Sequence, residues 1–508
     1  MRGLGRWRRP LRRSRERSFA SSQIRIVPRL DYAFLRENAD MMRDNIRHRK
    51  CLPRGDDRKD PVGNVLEKYA FAMGLRTELE ELQRERNRLT KESKAMMKRK
   101  EKNEGDLRRV RDRGRELKES VGRLAERLNV AEEDLNDASK QIPNRTHPDA
   151  PIGDESNARV VRTFGPPIDP TRTEANSHHV DLCRVLDLAD FEGGAAVAGS
   201  KFVFLKNDAA RMELALASFA MDRAIDAGFT AVSCPDIVKT SLIDGCGFAP
   251  RDDEPSQTYA VSKRRGDSSG SSSRAARDED GEEEEEEHAS SSSSLALVGT
   301  AEIPLAGLLA NRVLSDAELP VKFVGISHCF RTEAGARGRE SKGLYRLHQF
   351  TKVELFAFAR PDESDAVLED ICAFQERLYE DLELSCRVLD MPTEELGASA
   401  YRKYDVEAWM PSRGGYGEIC SASNRTDFQS RRLNVRYDVV GAKEDEGGER
   451  RRPRGRKQRD FVHTLNGTAV AVPRVLLALM ETHGDRIPES LRPYMNGRAR
   501  MGEGRGGV

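Results

Sequence analysis

The chain has 508 residues, 37% of them hydrophobic and 34% charged, with a formal net charge of +1. This is too polar for one continuous core but ample for a large domain with solvated parts, and the length suggests roughly three domains; balanced charge excludes a surface that attracts nucleic acid everywhere, so any basic face must be local. No apolar run approaches the roughly 20 residues that cross a bilayer, and the eight cysteines form no CxxC or CxxH spacing, which argues against membrane insertion and structural zinc and for a reducing compartment.

The opening stretch "MRGLGRWRRPLRRSRERSFASSQ" is dense in Arg and Ser and holds one acid, Glu16. Residues 1–29 therefore read as a disordered organellar transit peptide, with the mitochondrial matrix or plastid stroma as destination. A short helical pattern follows over residues 30–50. From Leu66 a charged region begins in which Leu75, Leu79, Leu82, Leu89 and Met96 recur at three- and four-residue steps, provided Arg86 and Ser93 fill the missing positions. After "EKNEGD" the pattern resumes at Leu107, Val110, Leu117, Val121, Leu124, Leu128, Ala131 and Leu135, with Gly114 as a flaw. Sustained three-four spacing predicts a coiled coil, and a central break with limbs of similar length predicts an antiparallel hairpin. Each limb would reach about 45 Å at 1.5 Å per residue. We place this arm at about 66–138, inside an N-terminal domain spanning 30–145. Its outer faces are rich in Lys and Arg, which suits either a dimerisation coil or a grip on RNA phosphates.

From 146 to 495 the texture changes to short strands, Gly/Pro turns and amphipathic helices, the pattern of an α+β domain. Two inserts, 262–294 and 441–460, are too polar to form a core and are expected to be disordered, as is the tail 496–508. Three segments stand out. "LALASFAMDRAIDAGFTAVSCPDIVKTSL" (214–242) reads as helix, Gly turn, strand and Pro235. "FVGISHCFRTEAGARGRESKGLYRLHQFTKVELFAF" (323–358) reads as two strands, Phe323–Phe330 and Leu347–Phe358, around a charged loop. "FVHTLNGTAVAVPRVLLALMETHG" (461–484) is a strand running into a helix with Arg474 at the junction.

These segments resemble motifs 1, 2 and 3 of the class II aminoacyl-tRNA synthetases. With "GTAEIPL" (299–305), "RLHQFTKVE" (346–354), "GEICSASNRTDFQSRR" (417–432), "HTLNGT" (463–468), "FLREN" (34–38) and "HPDAPIGDESNARVVR" (147–162), the resemblance narrows to the seryl-tRNA synthetases. It covers nearly everything from residue 30 to 495, and "LDMPTEELGASAYRKYDVEAWMP" (389–411) looks like the organellar branch.

The resemblance implies a tRNA-binding helical arm followed by a catalytic domain with a central antiparallel sheet flanked by helices. It implies a homodimer joined through motif 1, in which the arm grips the long variable arm of tRNA(Ser). The substrates would be ATP and L-serine, with Mg2+ as metal. ATP would be bound by Arg331, Thr332, Glu333, Leu347, His348, Phe350, Glu418, Ile419, Cys420, Ser421 and Arg474. Among these, Arg331 would bridge the α-phosphate and the serine carboxylate, Glu333 would accept from the adenine amino group, and Phe350 would stack on its ring. Arg474 would hold the γ-phosphate, and Glu418 and Ser421 would hold the metal, so that Arg331, Arg474 and Glu418 carry catalysis. Serine would be held by Thr300, Ala301, Glu302, Arg331, Glu354 and Thr468, with Glu354 a buried carboxylate awaiting the substrate hydroxyl. Pro473, Cys420 and Gly299 depart from commoner family residues without removing a charge. Two alternatives remain at this stage: a paralogue that makes seryl-adenylate for a different acceptor, and a catalytically silent RNA-binding scaffold. Retention of the charged site residues opposes the second, and retention of the arm opposes the first.

Overall fold

A computed structural model describes residues 30–51, 60–99, 104–173, 178–248, 257–262, 294–333, 343–439 and 458–503. The expected transit peptide, most of both inserts and the tip of the charged loop (334–342) lie outside the described residues.

The described residues of the N-terminal domain are mainly helical. Helices α1 (Tyr32–Glu37) and α2 (Ala39–His48) pack at the foot of two long helices, α3 (Pro61–Arg99) and α4 (Glu104–Lys140). The first long helix starts at Pro61, five residues before the expected Leu66, because proline suits the first helical turn and Asp60 accepts a hydrogen bond from the Gly63 N–H at 3.0 Å. At 39 residues it spans about 58 Å. Leu117, Val121, Leu124, Leu128, Ala131 and Leu135 are buried along the seam, and Gly114 does not interrupt α4. Arg86 does not fill a seam position as expected. It is exposed, and the half-buried Glu85 beside it pairs with Arg113 across the hairpin at 2.9 Å. A guanidinium keeps its hydration when a neighbouring position can face the partner helix instead.

The foot of the arm is bolted to the second half by hydrogen bonds. Buried Arg49, just after α2, donates to the carbonyls of Gly397, Ala400 and Arg145 and to the Thr146 hydroxyl. Asn144, just after α4, donates to the carbonyls of Ser399 and Arg425, at 2.9 and 2.8 Å.

The second half is built on one eight-stranded sheet. In chain order its strands are β1 (Arg159–Phe164), β2 (Thr230–Ser233), β3 (Val321–Phe330), β4 (Gln349–Ala359), β5 (Cys386–Asp390), β6 (Arg402–Met410), β7 (Gly415–Asn424) and β8 (His463–Ala471). Their spatial order is β1-β5-β6-β7-β8-β4-β3-β2, antiparallel everywhere except the β2–β3 edge pair. The helices of this half include α5 (His179–Val185), α6 (Asn207–Asp226), α7 (Glu302–Gly307), α8 (Ser364–Asp381), α9 (Phe428–Leu433) and α10 (Val472–His483). Along β4 the period-two rule divides the cores. Val353, Leu355 and Ala357 pack with residues of α6, α8 and α10, whereas Phe356 and Phe358 pack with Ile303 and Leu305 of α7 and Leu433 of α9.

Two expectations of disorder fail at their margins. Arg459–Phe461, at the end of the second insert, forms a short strand paired with Arg436–Asp438. In the tail, residues 496–503 are packed: Met501 is buried, its N–H bonds the Asp485 carbonyl at 2.7 Å, and Arg498 pairs with buried Asp208 at 2.6 Å. One apolar side chain and a few satisfied backbone groups suffice to hold a segment that composition alone reads as solvated.

Candidate active site

Strands β4, β7 and β8, with the segment that follows β3, open on one side into a cleft. Its lining brings together Thr300, Glu302, Arg331, Glu333, Leu347, Phe350, Glu418, Ile419, Cys420, Ser421, Thr468 and Arg474, drawn from stretches far apart in the chain.

One end of the cleft is arginine-rich. Arg331 follows the last residue of β3, with its guanidinium 5.3 Å from the centre of the Phe350 ring. Arg474 stands in the first turn of α10, directly after Pro473. It donates to the Glu418 carboxylate at 2.8 Å and lies over the Tyr345 ring at 4.7 Å. Desolvation alone would raise the Glu418 carboxyl, but Arg474 and Lys403 outweigh it and hold it near 2. Glu418 is therefore a carboxylate at any working pH. Behind it, burial pushes Asp405 up to about 7 against the pull of Lys403, 2.8 Å away.

The other end is a small, polar, closed floor. Phe350, Lys352 and Glu354 share a parity on β4. The fully buried Glu354 accepts from Lys352 at 2.6 Å, from Asn466 at 3.0 Å and from Thr468 at 3.1 Å. It is not an unpaired carboxylate awaiting a hydroxyl. Three donors already hold it, and only part of its acceptor capacity remains for a ligand. Glu302, also buried, accepts from Gln429 at 2.7 Å and Arg425 at 3.0 Å. Burial raises its pKa and Arg425 opposes the rise.

Four of the expected site residues are not in the lining. Glu354 lies beneath it, behind Lys352, Asn466 and Thr468, which do line the cleft. Ala301 is fully buried in the lower core. Thr332 donates its N–H to the Gln257 carbonyl. His348 bonds the Tyr259 hydroxyl at 2.7 Å and the Arg331 carbonyl at 2.8 Å and stacks on Phe202, so it braces the strand ends from outside. Conversely, Phe248, Tyr345, Lys352, Arg425 and Asn466 line the cleft without having been anticipated. The parity of β4 would have found Lys352, two residues from both Phe350 and Glu354. Nothing local marks Arg425, which meets Glu302 across 123 positions of sequence.

Chemically, the cleft offers two guanidiniums beside one ionised carboxylate at its mouth and a pre-paired carboxylate at its floor. Such an arrangement aligns and neutralises crowded anions while reading one small polar group. Residues 285–483 match the tRNA synthetase class II core domain (G, H, P, S and T), so the sheet and cleft are those of a class II aminoacyl-tRNA synthetase. Residues 30–146 match the seryl-tRNA synthetase N-terminal domain. The serine–tRNA ligase of Rubrobacter xylanophilus is 40% identical over 482 residues, covering 94% of this chain and all of that protein. The mitochondrial serine–tRNA ligase of Saccharomyces cerevisiae is 40% identical over 75% of this chain and 77% of its own. The crystal structure of seryl-tRNA synthetase from Pyrococcus horikoshii complexed with ATP superposes with a TM-score of 0.73 at 32% identity, covering 93% of this chain and 99% of that one. The chain belongs to the seryl-tRNA synthetases, and its activity is the ATP-dependent ligation of serine to tRNA.

Proposed function

We propose that the cleft between Arg331 and Arg474 is where serine and ATP meet, with ATP at the arginine-rich mouth and serine on the floor. In the activation step the serine carboxylate oxygen attacks the α-phosphorus, the bond to the bridging oxygen breaks, and pyrophosphate leaves with its electron pair. The nucleophile is already ionised, so the protein supplies alignment and positive charge rather than a base. Arg331 bridges carboxylate and α-phosphate with its planar fork. Arg474, freed from Glu418, takes the γ-phosphate and covers one adenine face, while Phe350 covers the other with Leu347 beside it. Glu333 accepts from the adenine amino group. Thr300 and Glu302 receive the substrate's ammonium, and Glu354 with Thr468 reads its hydroxyl. The convergence of Arg331, Glu418 and Arg474 on one cleft, with Thr468 at its floor backed by the buried Glu354, carries this reading.

Glu418 and the Ser421 hydroxyl lie three residues apart on β7 and both line the cleft. An ionised carboxylate with a neighbouring hydroxyl fits Mg2+, a hard ion that takes oxygen donors and keeps several waters. When bound it would neutralise phosphate charge; Glu418 would exchange Arg474 for it.

The arm serves tRNA(Ser), through backbone and shape more than base edges. Exposed Leu214 and Ile225, about three turns apart on one side of α6 and both within the first motif segment, support a homodimer joined there. The Arg-rich residues 1–29 and the likeness to the yeast mitochondrial ligase support an organellar enzyme, in the mitochondrial matrix or plastid stroma. The test is pyrophosphate exchange with each amino acid, then charging of organellar tRNA. Serine-dependent exchange followed by charging is expected; exchange without charging would assign the adenylate to another acceptor.

A further inference from the structure

Helix α10 carries a second polar group besides Arg474. Glu481 lies seven residues on, two helical turns along the same face, and is fully buried. Its carboxylate faces His179, the first residue of α5, at 2.8 Å from Nδ1, and it also accepts from the Ser412 N–H at 3.1 Å and the Ser412 hydroxyl at 2.6 Å. Burial would raise the Glu481 carboxyl, yet these hydrogen bonds keep it below the usual range. The far nitrogen of the ring, His179 Nε2, accepts from the Leu344 N–H at 3.2 Å. Since Nε2 is an acceptor, the ring proton sits on Nδ1 and is donated to Glu481; the carboxylate fixes the tautomer that the loop needs.

Leu344 is where the charged loop between β3 and β4 returns to the protein. Gly343 before it has φ of 68°, and a Cβ there would run into His179 Nε2 and Val180. Tyr345 after it accepts from Arg474 Nε through its carbonyl at 3.4 Å, and its ring lies 4.7 Å beneath both Arg474 and Arg413. Arg346 follows, paired with Glu333 at 3.4 Å. The imidazole thus stands at the root of a run of residues that line the nucleotide end of the cleft.

We infer that His179, oriented by Glu481, is a positioning residue for ATP binding: it anchors the returning limb of the loop and through Tyr345 sets the height of Arg474. The inference rests on the reading of that end of the cleft as the nucleotide site. Its consequence is selective. Apart from Arg331, which both substrates share, serine's expected partners lie on β4, β8 and at the start of α7, away from this limb, so loss of the anchor affects ATP more than serine.

Two replacements separate the two ends of the ring. Asparagine keeps a donor near the Nδ1 position for Glu481 and removes the acceptor for Leu344; glutamine reaches the Nε2 position and keeps that acceptor while releasing Glu481. In pyrophosphate exchange with the full chain, His179→Asn is expected to raise the KM for ATP about tenfold, the worth of one well-placed hydrogen bond, with the KM for serine within about twofold. His179→Gln is expected to restore the ATP KM to within about threefold although its Tm is the lower of the two. Gly343→Ala, which pushes the ring aside, should reproduce the ATP-selective defect. ATP KM values that follow Tm across the three variants, or equal shifts in both KM values, overturn the anchor and leave a structural pair. Arg474→Ala is the control. If it leaves the ATP KM unchanged, the nucleotide site itself is misread and the inference falls with it; if it raises that KM while all three variants are neutral, only the anchor falls.

Discussion

Arg113 on the arm and Arg474 in the cleft each face a glutamate, at 2.9 and 2.8 Å. By distance the two pairs are alike, and their surroundings make them different devices. Arg113 is half exposed on a hairpin held together by the leucine seam beneath it, and water competes for its charge. Arg474 is four-fifths buried in the cleft wall, and together with Lys403 it holds the partly exposed Glu418 carboxylate near 2. An arm of this design keeps its charges wet and available to phosphates along a long face. The cleft desolvates a few charges so that each acts strongly at one place. The difference teaches that an ion pair is read from what surrounds it rather than from its length.

The comparison can be broken most severely by removing the arm's outer portion. Replacing Gln83–Glu119 by a short Gly/Ser linker keeps the foot of the hairpin, where Leu124, Leu128 and Leu135 share one core cluster with residues of α1 and α2. Serine-dependent pyrophosphate exchange should survive and tRNA charging should be abolished; loss of both in a folded variant would mean that the two halves do not divide the work.

A single atom-level change in the cleft comes next. Arg331→Lys keeps the charge and gives up the fork, so exchange should fall about a hundredfold or more, in kcat rather than KM, with Tm nearly constant. Transfer from supplied seryl-adenylate should suffer less, because no pyrophosphate leaves in that step. Near-normal exchange would return Arg331 to an ordinary loop charge.

Glu354→Gln is expected to lower serine exchange about tenfold and to affect alanine less. Because the structure pairs Glu354 with buried Lys352, the variant should also lose about 3 kcal/mol of stability, read by denaturant titration. Equal losses for serine and alanine would make Glu354 a support for the floor and not its reader.

The smallest effects belong to wet parts. Arg113→Ala should leave exchange and Tm unchanged and weaken only the salt-sensitive share of tRNA affinity. Replacing residues 263–293 with a short linker, while keeping Ser294 in its 3.0 Å backbone contact with Thr240, should alter the KM for serine by less than about twofold.

The arm was legible because its information is local: a seam at three-four spacing survives without knowledge of any partner beyond the other limb. Three-four spacing misplaces Arg86 because it counts positions and not hydration, and Glu85 reaches the partner helix at less cost. The strands were legible from alternation, and the cleft's arginines from their motifs. What escaped notice are residues whose role comes from distant contacts. Arg425 closes on Glu302 only after β7 and α7 are brought together, and His179 meets Leu344 across 165 positions. Ala301, Thr332 and His348 sit inside the right motifs yet face away from the cleft. A motif identifies a stretch, and only the folded backbone decides which members look inward.

The joint at the foot of the arm sets the aim of the molecule. Arg49 and Asn144 make no part of the cleft, but between them they occupy backbone carbonyls from 397 to 425 and leave the hairpin little freedom to pivot. Leverage makes this matter. With about 58 Å of helix beyond the pivot, a tilt of about 3° moves the far end by roughly 3 Å, the span of one hydrogen bond. Arg49→Ala would leave every phosphate-binding side chain on the arm in place and point them all slightly elsewhere. A guanidinium that lines no part of the cleft would thereby set whether the end of a bound tRNA arrives at it.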